Sequence, residues 1–287
     1  MIDTKFLDQL DRFNLIVSKR VTSKYAGEKK SAATGRGLIF KDHRIYTKGD
    51  DIRLIDWKVY ARTDDLYIRR YEEERNLSVH ILLDASASMG YGKKASKFDY
   101  ASMIGVGFAY LAMKSNEKFQ ISTFAANSVV YRPKRGANQL ASMIDHINDV
   151  KSEGISKLAE SLSQYKRLIT SRSLIVLASD FLIDLEEIKQ VLFTLARGKH
   201  DVFVVQVLDP SERELQLIGD AKLKDMETQG ILKTFISPRM RMSYEEKLSK
   251  HIAEIGKTCD KLGLKFFSFG SDKPIFDAFY EMLKETY

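Results

Sequence analysis

The 287-residue sequence predicts an α/β fold: a central, mainly parallel sheet held between two layers of helices. Three observations predict it. Short apolar runs rich in β-branched residues recur along the chain, as strands buried on both faces require. Segments of helical periodicity lie between them, so that strand and helix alternate. Two of the runs, SVHILL and SLIVLAS, lead into an aspartate, Asp84 and Asp180. Open parallel sheets bind their ligands at the carboxyl ends of strands, which is where these two acids fall.

The elements follow in order. SVHILL (78–83) reads as a buried strand. Ser96 is placed to cap the next helix, KFDYASMIGVGFAYLAMKS. That helix is apolar nearly all round between Ala101 and Met113, so it belongs in the interior. Gly105 and Gly107 weaken it as a helix but let another backbone approach. KFQISTF (118–124) is the second strand, with SVVY (128–131) as its expected hairpin partner. Helices are expected over about 138–150 and 156–169. SLIVLAS (173–179) is a strand, 185–197 a helix, DVFVVQVL (201–208) a strand and KFFSF (265–269) the last strand, before a helix from Pro274.

Two regions break the alternation. Residues 211–242 alternate polar and apolar around AKLKDMETQGILKTFI, with Gln229-Gly230 as a turn, which predicts a small β insertion. Residues 1–75 hold an amphipathic N-terminal helix and then a stretch mixing aromatics with charges, expected to be a strand-and-loop appendage. The domain division is therefore 1–75 and 76–287.

Composition narrows the function. Hydrophobic residues make up 44%, enough for a folded core. The longest uncharged run, Tyr100 to Met113, has 14 residues, short of the roughly 20 that span a bilayer. The first residues carry acids and lack an apolar core, so a cytoplasmic location is expected. A single cysteine, Cys259, excludes a disulfide framework and a cysteine-rich metal site. The net charge of +7 is spread along the chain rather than gathered on one face, which argues against nucleic acid as a partner.

Asp84 and Asp180 sit at ends of separate strands and can meet at one sheet edge. Ser86 and Ser88 follow Asp84 in its loop. Carboxylates and hydroxyls are hard oxygen donors that suit Mg²⁺, or Mn²⁺, better than Zn²⁺. A polar turn explains the serines equally well if they are taken alone. A metal-dependent phosphohydrolase using the same pocket is the enzymatic alternative; it would need a second acid two residues after the first, where Ser86 stands. There is no G-x-S-x-G elbow, no Walker loop and no G-x-G-x-x-G. The five histidines show no ligand spacing, and His80, inside a strand, reads as a satisfied core residue. Trp57 reads as an anchor packing the appendage. The charges of Asp50, Asp51, Asp56, Arg53 and Arg62 fit a buried network or an exposed binding face, with internal pairing favoured. Lys93-Lys94 reads as a solvated pair beside the site.

Asp84-Ala85-Ser86-Ala87-Ser88 resembles the D-x-S-x-S opening of the metal-ion-dependent adhesion site in von Willebrand factor A domains. The resemblance covers roughly residues 76–287. It implies a later aspartate, matched by Asp180, and a threonine loop, matched by Gly154-Ile155-Ser156-Lys157-Leu158 with Ser156 for threonine. A more specific resemblance starts in the appendage, over 36–75. Gly49-Asp50-Asp51, Arg53, Ile55-Asp56-Trp57, Ala61-Arg62-Thr63-Asp64 and Glu72-Glu73-Glu74-Arg75 look like the signature of a bacterial family known as domain of unknown function fifty-eight. That resemblance implies action beside a MoxR-type AAA+ ATPase in assembling or activating a client protein. Together they imply a metal-dependent protein-binding module rather than an enzyme. Asp84, Ser86, Ser88, Ser156 and Asp180 would hold the ion, and a Glu or Asp of the ATPase or its client would supply the outside oxygen.

Overall fold

The computed structural model describes residues 38–73, 77–92, 95–125, 129–169, 173–198, 200–215, 219–227 and 230–284. The predicted N-terminal helix, Lys93-Lys94 and Gln229 lie outside them. The chain divides into two compact units, with a boundary between Asn76 and Leu77.

In the smaller unit, β1 (Leu38–Ile45) pairs antiparallel with β2 (Tyr67–Glu73), with an irregularity between Phe40 and Asp42. Between them lie a 3₁₀ turn, Ile52–Leu54, and a helix, α1 (Trp57–Thr63). The aspartates of the signature have local jobs here. Asp51 caps the turn, and Asp56 caps α1 by accepting from the Lys58 and Val59 N–H groups. Asp56 also lies 3.0 Å from His43 Nε2, and Asp50 accepts from Arg44 at 2.7 Å. These are caps and partly exposed pairs, so Asp50 and Asp56 pair with Arg44 and His43, outside the predicted set of charges, and not as a buried network. Trp57 is 58% exposed and meets Tyr60 edge-on, so it does not anchor a core within its unit.

The larger unit carries the parallel sheet. Its strands are β3 (Ser78–Asp84), β4 (Lys118–Phe124), β5 (Ser173–Ser179), β6 (Asp201–Leu208) and β9 (Lys265–Gly270), in the spatial order β4-β3-β5-β6-β9. All four pairings are parallel. On one face, α2 (Lys97–Lys114), α3 (Ala137–Asp149) and α8 (Ile275–Lys284) close a core over Ile81, Leu83, Val176 and Val205. On the other, α4 (Leu158–Tyr165), α5 (Leu185–Ala196) and α7 (Pro238–Leu262) cover Leu82, Ile175, Leu177 and Val204. Successive strand residues point to opposite layers, which is why Ile81 and Leu83 meet one core and Leu82 the other. The two-sided burial explains the unbroken apolar runs.

The strands fall where the sequence places them, and Ser96 caps α2 with a full capping box shared with Asp99. The expected partner of β4 is reduced to isolated antiparallel bridges, Thr123 with Val129 and Phe119 with Lys134. The β insertion is narrower than 211–242. A short helix, α6 (Pro210–Arg213), precedes it, and the hairpin itself is β7 (Gly219–Lys224) with β8 (Ile231–Ile236). The 25-residue α7 has no counterpart in the sequence reading. Its buried face is only Leu248, Ile255 and Cys259 amid charged residues, too sparse a stripe to stand out.

His80 is the core residue its strand position suggests. It is buried, and Nδ1 lies 2.6 Å from the Tyr165 hydroxyl. Burial, with the nearby His200, pushes its pKa down to about 4. The folded state therefore binds this proton more weakly than the unfolded chain, so acidification favours unfolding. As pH falls from 6.5 to about 4 this one group removes roughly 3 kcal/mol of stability. Urea unfolding of His80→Gln should show a much flatter loss across that window than the wild type; parallel pH profiles would refute the assignment.

Candidate functional site

The carboxyl edge of the sheet gathers the predicted residues by register. Leu83 of β3 pairs with Ala178 of β5, so the next residues along, Asp84 and Ser179, stand side by side on one face. Ser179 Oγ accordingly donates to Asp84 Oδ2 at 2.6 Å. Ser156 Oγ donates to the same oxygen at 3.0 Å, and the Ser86 N–H donates to Asp84 Oδ1 at 2.9 Å. Ser86 Oγ and Ser88 Oγ are 3.1 Å apart. Backbone bonds clamp the two loops together: Ala87 N–H to the Gly154 carbonyl at 2.9 Å, and Glu153 N–H to the Ala85 carbonyl at 3.0 Å. The D-x-S-x-S and G-x-S-x-L loops, 72 residues apart at Asp84 and Ser156, thus form one constellation.

Asp180 lies beside this group with a different partner. Its Oδ2 accepts from Lys97 Nζ at 2.8 Å, and Lys97 Nζ also donates to Glu212 Oε1 at 2.7 Å. Asp180 Oδ1 accepts from the Leu182 N–H at 3.2 Å. The turn after it is held by Phe181, buried and left-handed at φ 51°, whose carbonyl accepts from His251 Nε2 at 2.8 Å. A bulky residue there is strained and persists only because its surroundings fix it.

The electrostatics are unbalanced. Asp84, Asp180, Ser86 and Lys97 are almost wholly buried, and Ser88 alone of the five predicted residues is partly exposed. One ammonium pairs with two carboxylates, Asp180 and the partly buried Glu212, while Asp84 beside Asp180 is held by hydroxyls and an N–H. Burial lifts the pKa of Asp84; the Ser179 hydrogen bond opposes the rise and the charge of Asp180 adds to it. Burial lifts Glu212 as well, against the pull of Lys97. For Lys97 burial works against the charge, but Asp180 and Glu212 outweigh it and hold its pKa above the ordinary lysine range.

Four residues were missed by the sequence reading. Ser179 stood in plain view before Asp180. Lys97 had a signal: a cation in the first turn of a helix opposes the helix dipole and needs a local reason. Glu212 closes a capping box with Asp209 directly after β6, a third strand end delivering acids to the same edge. The fourth, Glu227, sits in the β7–β8 turn and carried no signal that pointed to the site. Its carboxylate accepts a hydrogen bond from the Ser156 backbone N–H.

The donors are oxygens of two buried carboxylates and three hydroxyls. Among the described residues no three His, Cys, Asp or Glu side chains converge as a metal-binding group. The set fits a small hard cation held largely through hydroxyls, because the Ser156 proton is committed to Asp84 and leaves its lone pairs available, and because the surrounding charge is net negative. It does not fit a softer ion.

Five parallel strands in this order, covered on both faces and carrying a D-x-S-x-S loop at the carboxyl edge, define a doubly wound α/β domain of the von Willebrand factor A-like kind. The chain belongs to the family described as "Protein of unknown function DUF58", whose model matches residues 42–254. It is 26% identical over 281 residues to the uncharacterized protein Rv1480 of Mycobacterium tuberculosis, spanning 94% of this chain and 86% of that one. It is 30% identical over 117 residues to the uncharacterized protein MAV169 of Mycobacterium avium, 40% of this chain and 68% of that one. Among solved structures, the SpRpn10 VWA domain aligns with a TM-score of 0.46 at 11% identity, over 72% of this chain and 94% of that one. BatB from Bacteroides thetaiotaomicron aligns at 0.45 and 16%, over 73% and 98%. Among the described residues no helix is long and apolar enough to cross a membrane.

Proposed function

We propose that this domain is a cytoplasmic, metal-dependent protein-binding module. It acts with a MoxR-type AAA+ ATPase, or with that ATPase's client, by gripping a partner Glu or Asp. The observation that carries the reading is a buried Asp84 bonded only to hydroxyls and an N–H, next to Asp180, which shares the one ammonium of Lys97 with Glu212, at the edge where such sheets bind ligands. A bound Mg²⁺ or Mn²⁺ would supply a positive centre able to take one oxygen from outside the chain.

The chain's residues have distinct parts in this. Ser86, Ser88 and Ser156 offer hydroxyl oxygens. Asp84 orients Ser156 and Ser179 by accepting hydrogen bonds from their hydroxyls, and with Asp180 it contributes negative charge. Lys97 holds Asp180 and Glu212 in place. Asp84 is a poor nucleophile, because Oδ1 accepts from one donor and Oδ2 from two. This favours binding over a phosphohydrolase.

Calorimetric titration with Mg²⁺ and Mn²⁺ should give heat with the wild type and none with Asp84→Ala. Ser88→Ala is the companion variant, since Ser88 is partly exposed and makes no bond to Asp84; affinity there should fall while the melting temperature holds. Equal heats from all three proteins would sink the metal reading. Retention of a MoxR-type ATPase on immobilised protein should require the ion and be abolished by chelator.

A further inference from the structure

We propose that the exposed face of α1, in the smaller unit, is a second docking surface that takes an extended acidic segment of a partner protein. Lys58 and Arg62 pair with its carboxylates, and Trp57 and Tyr60 pack against an apolar residue beside them. This surface is separate from the cation site and needs no metal.

The charges of the unit are sorted. Residues 38–73 hold eight Lys/Arg and eight Asp/Glu, so the net charge is zero. The acids of the signature are taken up locally. Asp50 accepts from the Thr47 N–H and hydroxyl, both at 2.8 Å, and from Arg44 at 2.7 Å. Asp51 accepts from the Arg53 N–H at 3.0 Å. Asp56 accepts from the Lys58 and Val59 N–H groups and lies against His43. The cations between them are left outside. Lys48, Arg53, Lys58 and Arg62 are exposed, and among the described residues none of them is in an ion pair. The helix dipole accounts for Arg62 alone, which stands in the last turn of α1. Asp64 and Asp65, also exposed, follow the end of the helix.

The helix arranges what is left over. At roughly 100° per residue, Tyr60, Trp57, Ala61, Lys58 and Arg62 succeed one another around a single arc. All five are exposed. An aromatic half therefore adjoins a cationic half. Trp57 and Tyr60 meet edge-on at 6.1 Å, and Ile52 in the turn just ahead is more than half exposed as well. An indole in water forgoes a large apolar burial. Trp, Tyr and Arg together are the side chains that dominate binding at protein interfaces.

The zero net charge selects the partner. Attraction to nucleic acid or to an anionic membrane grows with the net positive charge of a whole surface, and this unit has none. What remains is short-range pairing with individually placed carboxylates. Lys58 and Arg62 are four residues apart, a rise of about 6 Å along the helix. Carboxylates on alternate residues of an extended chain lie about 6.8 Å apart on one face, which matches that spacing. An apolar residue two positions before them, on the same face, meets the indole.

Trp57 is the only tryptophan in the chain, so its emission reports this face alone. The full chain would be titrated with the peptide Gly-Leu-Gly-Glu-Gly-Glu-Gly and with its Gln counterpart. The Glu peptide should shift the emission to shorter wavelength as the indole leaves water, and should bind about tenfold more tightly than the Gln peptide. Lys58→Glu with Arg62→Glu, both at exposed positions, should weaken the Glu peptide about tenfold while the melting temperature holds. Chelator should leave all of this unchanged, so a failure here and a failure of the cation reading are separately visible. Equal binding of the two peptides, or no shift with either, would overturn the proposal. So would a shift with vesicles of equal parts phosphatidylglycerol and phosphatidylcholine, or with a uridine oligonucleotide, in the absence of one with the Glu peptide. Emission that moves with the concentration of the protein itself would seat a second copy on the face and overturn the outside partner.

Discussion

Lys97→Met should cost this domain about 3–5 kcal/mol and lower its melting temperature by roughly 10 °C. Lys97 is fully buried, and its ammonium is bonded to Asp180 at 2.8 Å and to Glu212 at 2.7 Å. Methionine fills much the same volume, so packing changes little. What changes is charge: two carboxylates lose their common counterion in a region with little water, and Asp84 stands beside them. Breaking a buried pair by removing one partner is costly for that reason. Lys97→Met with Asp180→Asn should recover a large part of the loss, because the amide needs no counterion. A double variant no more stable than the single would show that the lysine acts by packing. The single variant should also be stabilised by Mg²⁺ more than the wild type is, since no ammonium then competes for Asp180. Melts with and without the ion measure that difference directly.

How far the sequence could be read follows from the physics of each signal. The strands were legible because burial on both faces demands unbroken apolar runs, and SVHILL and SLIVLAS admit little else. Ser96 was legible because a capping box is local, spanning only Ser96 to Asp99. Asp84, Ser86, Ser88, Ser156 and Asp180 were legible as a pattern, and the folded chain does bring Asp84, Ser86, Ser88 and Ser156 into one hydrogen-bonded group. The Asp180–Lys97 pair was not legible: its partners are 83 residues apart, and neither residue announces the other. Glu227 was hidden for the same reason, since only the tertiary placement of the hairpin turn sets it against Ser156. Helix α7 was hidden differently. Its 25 residues bury only three side chains, so its stability comes from a capping serine, Ser237, a left-handed Gly263 and tertiary packing rather than from an obvious apolar stripe. Trp57 was misread because an aromatic residue in a charged stretch suggests a buried anchor. Its place at the start of α1, after the cap Asp56, leaves it largely exposed instead.

Gly105→Leu should destabilise the fold by about 2–3 kcal/mol and, through the same displacement, loosen the site at the far end of the helix. Gly105 is buried in α2, where even a Cβ would stand 2.9 Å from Ile81 Cγ2 and 3.4 Å from Leu83 Cδ2. Neither neighbour has room to yield. Both are fully buried on β3, and Ile81 is flanked by Ile121 on one side and Val176 on the other. A leucine can be housed only if α2 moves away from the sheet. Lys97 is the first residue of that helix, eight positions and about 12 Å along the axis from Gly105, and its bond to Asp180 tolerates little movement. Gly105→Ala should be far milder, because relief of the helix penalty of glycine, about 1 kcal/mol, offsets part of the strain. The coupling distinguishes local strain from helix displacement. If α2 moves, Gly105→Leu has already weakened the Lys97 ion pair, so adding Lys97→Met should cost at least about 1 kcal/mol less than it does alone. Strictly additive losses in urea unfolding would mean that the strain stays at the glycine, and that the helix does not transmit it to the site.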